Sequence, residues 1–208
     1  MRELQTGLWC WQATHPEWTP ASTEGWGPEV SSYAIDDGAR LLLIDPLALP
    51  SEIDELAARR DPVVVLTNPW HERDARSLVE RLDAQVFVPR PDEFNDDVAW
   101  LRDDLERLEE EGRVLRAGDT LPIGVAVLPG RLPNDLVLWV EGRRALVVGD
   151  TLVDRGHGLE LPVDWLPKSL TREGALAVLR PLLELPVELV LATHGGPTDR
   201  AALERALS

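Results

Sequence analysis

Three short segments combine residue types that can hold a metal ion or move a proton, and each follows an apolar run. They are Thr67-Asn68-Pro69-Trp70-His71-Glu72-Arg73-Asp74, the pair Gly149-Asp150 and the triplet Thr193-His194-Gly195. Carboxylates prefer hard cations and imidazole suits zinc or iron. The same imidazole, oriented by a carboxylate, can serve as a general base. Histidine is scarce, with His15, His71, His157 and His194 the four in 208 residues. No serine stands in a nucleophile-elbow context, and the single cysteine, Cys10, lies in an expected strand, so a nucleophilic triad has no nucleophile. One cysteine also excludes an intramolecular disulfide and a cysteine-built zinc cage, and it suits a reducing cytoplasm.

The elements that must position these residues follow from hydrophobic spacing. Strands are expected at Leu4 to Trp11, Val30 to Ile35 and Leu41 to Ile44, with Asp37-Gly38 as a hairpin turn. Ala13 to Pro28, rich in Pro, Thr, Ser, Gly and Trp, reads as a loop. Ser51 is the expected N-cap of a helix ending near Arg60, and Pro62 to Thr67 reads as a strand buried on both faces. Helical spacing follows over Asp74 to Leu82, with Asp74 as N-cap, and over Val98 to Leu108, stopped by Gly112. Between them lies a short strand, Gln85 to Val88. The second half repeats the theme: strands at Thr120 to Leu128, Leu136 to Glu141 and Ala145 to Val148, with a turn at Gly142-Arg143. A helix over Thr171 to Leu185, kinked or divided by Pro181, a strand at Val187 to Ala192 and a terminal helix at Asp199 to Leu207 complete it. Two similar halves, each a sheet needing helices on its outer face, make a sandwich of two mixed sheets with outer helices within one domain spanning 1–208.

Composition narrows the function. Twenty-one Lys and Arg against 37 Asp and Glu leave a formal charge of −16, so the surface should repel nucleic acid. Apolar runs such as Leu41 to Ile44 are far short of the ~20 residues that span a bilayer, and no basic segment with an apolar signal core opens the chain. The expectation is a cytoplasmic protein, monomer or homodimer, acting on a small molecule. His157 between two glycines reads as a surface residue and Glu109-Glu110-Glu111 as a solvated helix end. The loop with His15, Trp18 and Trp26 is open to two readings, a flap over the site or closure of an open sheet edge.

Five ordered pieces resemble the metallo-β-lactamase superfamily. They are Leu43-Ile44-Asp45-Pro46, Val65-Leu66-Thr67 with the His71-Glu72-Arg73-Asp74 cluster, Leu128-Pro129-Gly130-Arg131, Val148-Gly149-Asp150-Thr151-Leu152 and Ala192-Thr193-His194-Gly195. The resemblance covers nearly the whole chain. It implies an αββα four-layer sandwich with one or two zinc or iron ions, whose bound hydroxide hydrolyses a lactam, thioester, lactone or phosphodiester.

The departures bear on that chemistry. The family motif T-H-x-H-x-D-H, anchored on Thr67, meets Asn68, Trp70, Glu72 and Arg73, and the histidine of P-G-H-x-x-G is replaced by Arg131. Indole and guanidinium offer no lone pair to a metal. Asp150 and His194 survive, and Glu72 stands in for the aspartate. Glu72, Asp150 and His194 are a conceivable three-ligand set, with His71 beside it as a helper, for zinc, iron or manganese. Opposing it, a guanidinium at ~5 Å and an effective dielectric of ~20 repels a divalent ion by about 7 kcal/mol, against about 10–16 kcal/mol of structural zinc binding. The expectation is thus no metal, with Arg73 and Arg131 paired to Glu72 and Asp150 where the dinuclear centre would be. Asn68, Trp70, Arg73 and Arg131 would then line a site for a small anion. The alternatives are a mononuclear hydrolase, or a metal-free enzyme in which His71 or His194, oriented by Asp150 or Glu72, acts as general base. For His71 the competing reading is a plain helix-start residue.

Overall fold

Apolar runs too short for helices form the centres of two mixed sheets. The computed structural model describes residues 1–22, 25–91 and 99–208. Two units are distinguished, one of Met1–Pro16 with Glu29–Leu115, the other of Glu17–Pro28 with Arg116–Ser208.

The first unit holds seven strands in sequential order: β1 (Arg2–Gln5), β2 (Leu8–Thr14), β3 (Glu29–Asp36), β4 (Arg40–Ile44), β5 (Asp61–Val65), β6 (Gln85–Pro89) and β7 (Val114–Leu115). β1 to β4 pair antiparallel, and β4 to β7 run parallel. Parallel neighbours require crossovers, and α1 (Ser51–Ala57), α2 (Ala75–Leu82) and α3 (Ala99–Glu110) provide them. Ile53, Ala57, Ala75, Leu78, Leu101 and Leu108 of these helices bury against Ala34, Leu41, Leu43, Val64, Leu66, Val86 and Val88. The alternate residues Tyr33, Leu42, Ile44, Val63 and Val65 are fully buried as well, which is why these strands read as unbroken apolar runs. Each such side chain contributes roughly 1.5–3 kcal/mol over its exposed state.

The second unit orders its main sheet β15-β14-β11-β10-β9-β8. Its strands are β8 (Thr120–Leu121), β9 (Val125–Pro129), β10 (Leu136–Val140), β11 (Ala145–Gly149), β14 (Leu189–Ala192) and β15 (Pro197–Asp199), with β12 (Val153–Asp154) and β13 (Leu159–Glu160) as a separate hairpin. Among the described residues of this sheet, only β11 and β14 pair parallel. The helices are α4 (Arg172–Leu179), capped by Thr171 Oγ1 on the Gly174 N–H at 3.1 Å, and α5 (Arg200–Ala206), capped by Asp199 Oδ1 on the Ala202 N–H at 2.9 Å. Ala175, Leu176, Leu179, Ala202, Leu203 and Ala206 pack on Val137, Trp139, Leu146, Val148, Val190 and Ala192.

Several expected elements are divided. The strand over Leu4 to Trp11 breaks at Gly7, whose φ is +74°, and that over Thr120 to Leu128 breaks at a 3-10 turn, Pro122–Gly124, with Ile123 at φ +61°. The helix expected over Thr171 to Leu185 ends at Leu179, and Pro181 continues as a 3-10 turn over Arg180–Glu184. Pro50, not Ser51, occupies the N-cap of α1, since Ser51 is already helical and its hydroxyl turns to Glu52. Asp74 does hold the N-cap position of α2, but its carboxylate accepts the Ala48 N–H at 2.6 Å instead of capping. Val98, and Thr23 and Glu24 of the expected loop, lie outside the described residues. Among the described residues no helix is long and apolar enough to cross a membrane.

Candidate functional site

Adjacent parallel strands end side by side, so whatever follows each strand meets its neighbour's successor. Within the first unit, Ile44 of β4 is in register with Val65 of β5, bringing Asp45 next to Thr67. Asp45 is fully buried in a left-handed conformation with φ +46°. Its Oδ1 accepts the Thr67 N–H at 2.8 Å and its Oδ2 accepts the Thr67 hydroxyl at 2.6 Å. Nδ1 of His71 lies 3.0 Å from the same Oδ2. A carboxylate only accepts, so Nδ1 carries a proton, and in the neutral ring Nε2 is then the nitrogen with the lone pair. The Asn68 amide nitrogen is 3.3 Å from Nε2. His71, the third residue of a short 3-10 turn, Pro69–His71, is thus a buried and oriented imidazole rather than a plain helix-start residue.

Other residues of that segment support the backbone. Arg73, at φ +42°, donates through Nη1 to the carbonyl oxygens of Asp45 at 2.7 Å and Ser31 at 3.2 Å. Ser32 Oγ donates to the same Asp45 carbonyl at 2.7 Å and accepts the Leu47 N–H at 3.1 Å, while Trp11 Nε1 donates to Leu47 O at 2.7 Å. Glu72 is half-buried and, among the described residues, has no ion pair. Its burial raises the carboxyl above the usual range, with Arg76 only partly opposing. Trp70 is partly exposed.

In the second unit Gly149 of β11 is in register with Ala192 of β14, so Asp150 and His194 emerge at the same edge. His194 Nε2 and Asp150 Oδ1 are 3.3 Å apart, and each residue is 8% exposed. Gly195 makes the exit from His194 possible: its φ is +103°, and a Cβ there would sit 2.6 Å from Asp154 Cβ. The Asp154 N–H donates to His194 O at 2.8 Å, tying the loop down. Two indoles flank the imidazole, Trp26 tilted with ring centroids 5.1 Å away and Trp165 edge-on at 5.7 Å. Trp18 Nε1 donates to Trp26 O at 3.0 Å, joining Trp18 to the segment that carries Trp26. Arg131 is buried and its Nε donates to Asp135 Oδ2 at 2.7 Å. Arg131 is thus paired with Asp135, four residues on, rather than with Glu72 or Asp150, and among the described residues Glu72 has no ion pair.

No family model and no curated protein matches the sequence. Solved structures do. A metallo-β-lactamase family protein from Thermus thermophilus, TTHA1429, superposes with a TM-score of 0.64 at 20% identity, covering 98% of this chain and 78% of that one. The archaeal metallo-β-lactamase superfamily protein ST1585 from Sulfolobus tokodaii gives 0.66 at 16% identity, covering 97% and 84%. The chain has the metallo-β-lactamase fold. TTHA1623, solved in a di-iron-bound form, gives 0.60 at 25% identity over 86% of this chain and 95% of its own. The expected fold class, two mixed sheets carrying helices in the metallo-β-lactamase manner, is borne out.

A metal of the kind this fold holds elsewhere can be tested against the donors present. Of the residues at ligand positions, Trp70 and Arg131 have no lone pair to give, Arg73 is engaged on carbonyls, and the Asn68 amide nitrogen faces His71. Asp150 and His194 fit as two of the protein ligands of a zinc or iron ion: a carboxylate oxygen and an imidazole nitrogen converge, nine-tenths buried. Sequence reasoning missed Asp45, Asp135 and Trp165. Asp45 was findable, since like Asp150 it ends an apolar run; Trp165 carried no signal.

Proposed function

We propose that this chain is a hydrolase-like protein in which one position of the dinuclear centre is eroded, while Asp150 and His194 hold a single zinc or iron ion. The 3.3 Å approach of the His194 imidazole to the Asp150 carboxylate is the observation that carries the reading. When bound, such an ion lowers the pKa of water to about 7 and polarises a substrate oxygen. Trp26 and Trp165 flank the imidazole and limit water around it. Asp45 holds His71 in the tautomer that can accept a proton through Nε2. The substrate is a small molecule with a hydrolysable acyl or phosphoryl bond, the class the fold resemblance implies.

A metal-free small-anion site built on Arg73 and Arg131 has less support. A guanidinium already bonded to a buried carboxylate, as Arg131 is to Asp135, gains little from a second anion. Elemental analysis of protein produced with added zinc, iron and manganese tests the choice. About one equivalent of metal, lost in His194→Ala and in Asp150→Asn, is expected. Wild-type protein without metal would overturn the single-ion reading. In that case, turnover abolished by His71→Ala would indicate a general base, and stabilisation by small anions that Arg131→Lys removes would restore the anion site.

A further inference from the structure

Arg131 stands where the resemblance expects a metal-ligating histidine, yet its contacts reach a neighbour of each member of the Asp150–His194 pair: Thr151 beside Asp150 and Trp165 against His194. Its backbone N–H donates to Oγ1 of Thr151, the neighbour of Asp150, at 3.2 Å. Its Nε donates to Asp135 Oδ2 at 2.7 Å, with Arg131 7% and Asp135 0% exposed. Its Nη1 donates to the carbonyl oxygen of Trp165 at 3.3 Å, and its guanidinium carbon lies 5.4 Å from the centroid of that indole. Trp165 in turn meets His194 edge-on. The contacts close a circuit from Asp150 through Thr151, Arg131, Trp165 and His194 back to Asp150.

The segment is seated without slack. A Cβ on Gly130 would lie 1.9 Å from Asp135 O and 2.3 Å from Thr151 Oγ1, so only glycine lets the chain pass there. Arg155 lies over the same indole at 4.7 Å and is ion-paired to Asp164 at 3.0 Å, adding a second hold on the loop that carries Trp165. A buried ion pair is weak evidence of stabilisation, because desolvation offsets most of its attraction. Its planar fork, however, fixes directions: one donor serves Asp135 while another reaches the Trp165 carbonyl.

We propose that Arg131, neutralised by Asp135, is a positioning residue that sets Trp165 against His194 and so fixes the imidazole toward Asp150. The inference rests on the reading of His194 as the working imidazole. In this chain a residue unable to bind metal orients the ligand that remains.

Proton and carbon NMR of the four histidine rings tests it in the full-length, metal-free protein at one fixed pH, with His194→Gln assigning the signals. Trp165→Leu removes the indole ring current and shifts the His194 ring signals. The double variant Arg131→Leu/Asp135→Leu, apolar and of similar bulk, retains the fold and shifts the same signals in the same direction. The His15 and His157 signals stay in place. Arg131→Lys keeps the charge for Asp135 but cannot also span to the Trp165 carbonyl, and gives a smaller shift of the same sign. Unshifted His194 signals in the folded double variant, or in Arg131→Lys should the double variant not fold, would overturn the inference. Unshifted signals in Trp165→Leu would overturn it too. Because the readout needs no turnover, shifts as expected together with absent hydrolysis would reject the hydrolase reading and leave the positioning role standing.

Discussion

Asp45 receives the Nδ1–H of His71 at 3.0 Å, in a setting where the aspartate side chain is wholly buried and the imidazole nearly so. The same carboxylate accepts the backbone and hydroxyl donors of Thr67, so three donors converge on one buried anion. Asp45→Ala leaves those donors unanswered. It is expected to destabilise the protein by about 3–5 kcal/mol, read as a lower denaturant midpoint at unchanged slope. An unchanged midpoint would mean that His71 is held by something else.

The Asp150–His194 pair joins two strand ends that the parallel pairing of β11 and β14 places together. Asp150→Asn preserves shape and removes the carboxylate charge beside the imidazole. On the single-ion reading proposed above, a hydrolytic rate should fall by about 10²–10⁴-fold with little change in thermal midpoint. Steady-state rates alongside thermal melts check this; equal losses of rate and stability would indicate a structural role alone.

Glu72 gives a pH dependence of definite sign. Burial raises its carboxyl in the folded state, with the Arg76 charge only partly opposing. The folded state then binds the proton more tightly. The contribution to stability is fully present below the unfolded value of about 4.3 and is lost as pH rises through the raised folded value. Glu72→Gln removes the buried charge, so in chelator-treated protein it should melt higher than wild type at pH 7 and alike below about pH 4. Melts across that range decide it, and a lower melt at pH 7 would contradict the assignment.

Gly130→Ala places a Cβ inside the van der Waals shells of Asp135 O and Thr151 Oγ1. At least the ~1–3 kcal/mol of ordinary overpacking is expected, because one of the two contacts is backbone and cannot swing away. Chemical denaturation measures it, and a neutral substitution would show that the Pro129–Arg131 segment can move.

Cys10 is buried, and that burial raises its thiol, with the nearby Arg2 charge only partly opposing. Thiolate is the reactive form, so native protein should resist alkylation at neutral pH and label at once on unfolding. Fast labelling of folded protein, followed by mass, would refute this.

Most of the architecture was legible because it depends on local patterning. Unbroken apolar runs at Leu41 to Ile44 and Pro62 to Thr67 mark strands buried on both faces, and helical spacing at Leu78 and Leu82 marks the crossover that parallel strands need. The breaks at Gly7 and Ile123 are not fixed by the hydrophobic pattern, because a left-handed residue leaves no trace in it, although Gly7, Pro122 and Gly124 are turn-forming residues. The same limit applied to the cap of α1, where Pro50 and Ser51 are both good helix-start residues.

By itself the sequence determined the fold class, the net negative charge, and the residue types available at three strand ends, Asn68, Trp70 and His71 among them. Only the tertiary structure decided how those residues are spent. Arg131 was free in sequence to pair with any acid, and distance selects Asp135; His71 was free to be incidental, and Asp45 fixes its ring through Nδ1. The physical reason is that charge pairing and tautomer choice depend on separations of about 3 Å between groups that register, not sequence spacing, brings together.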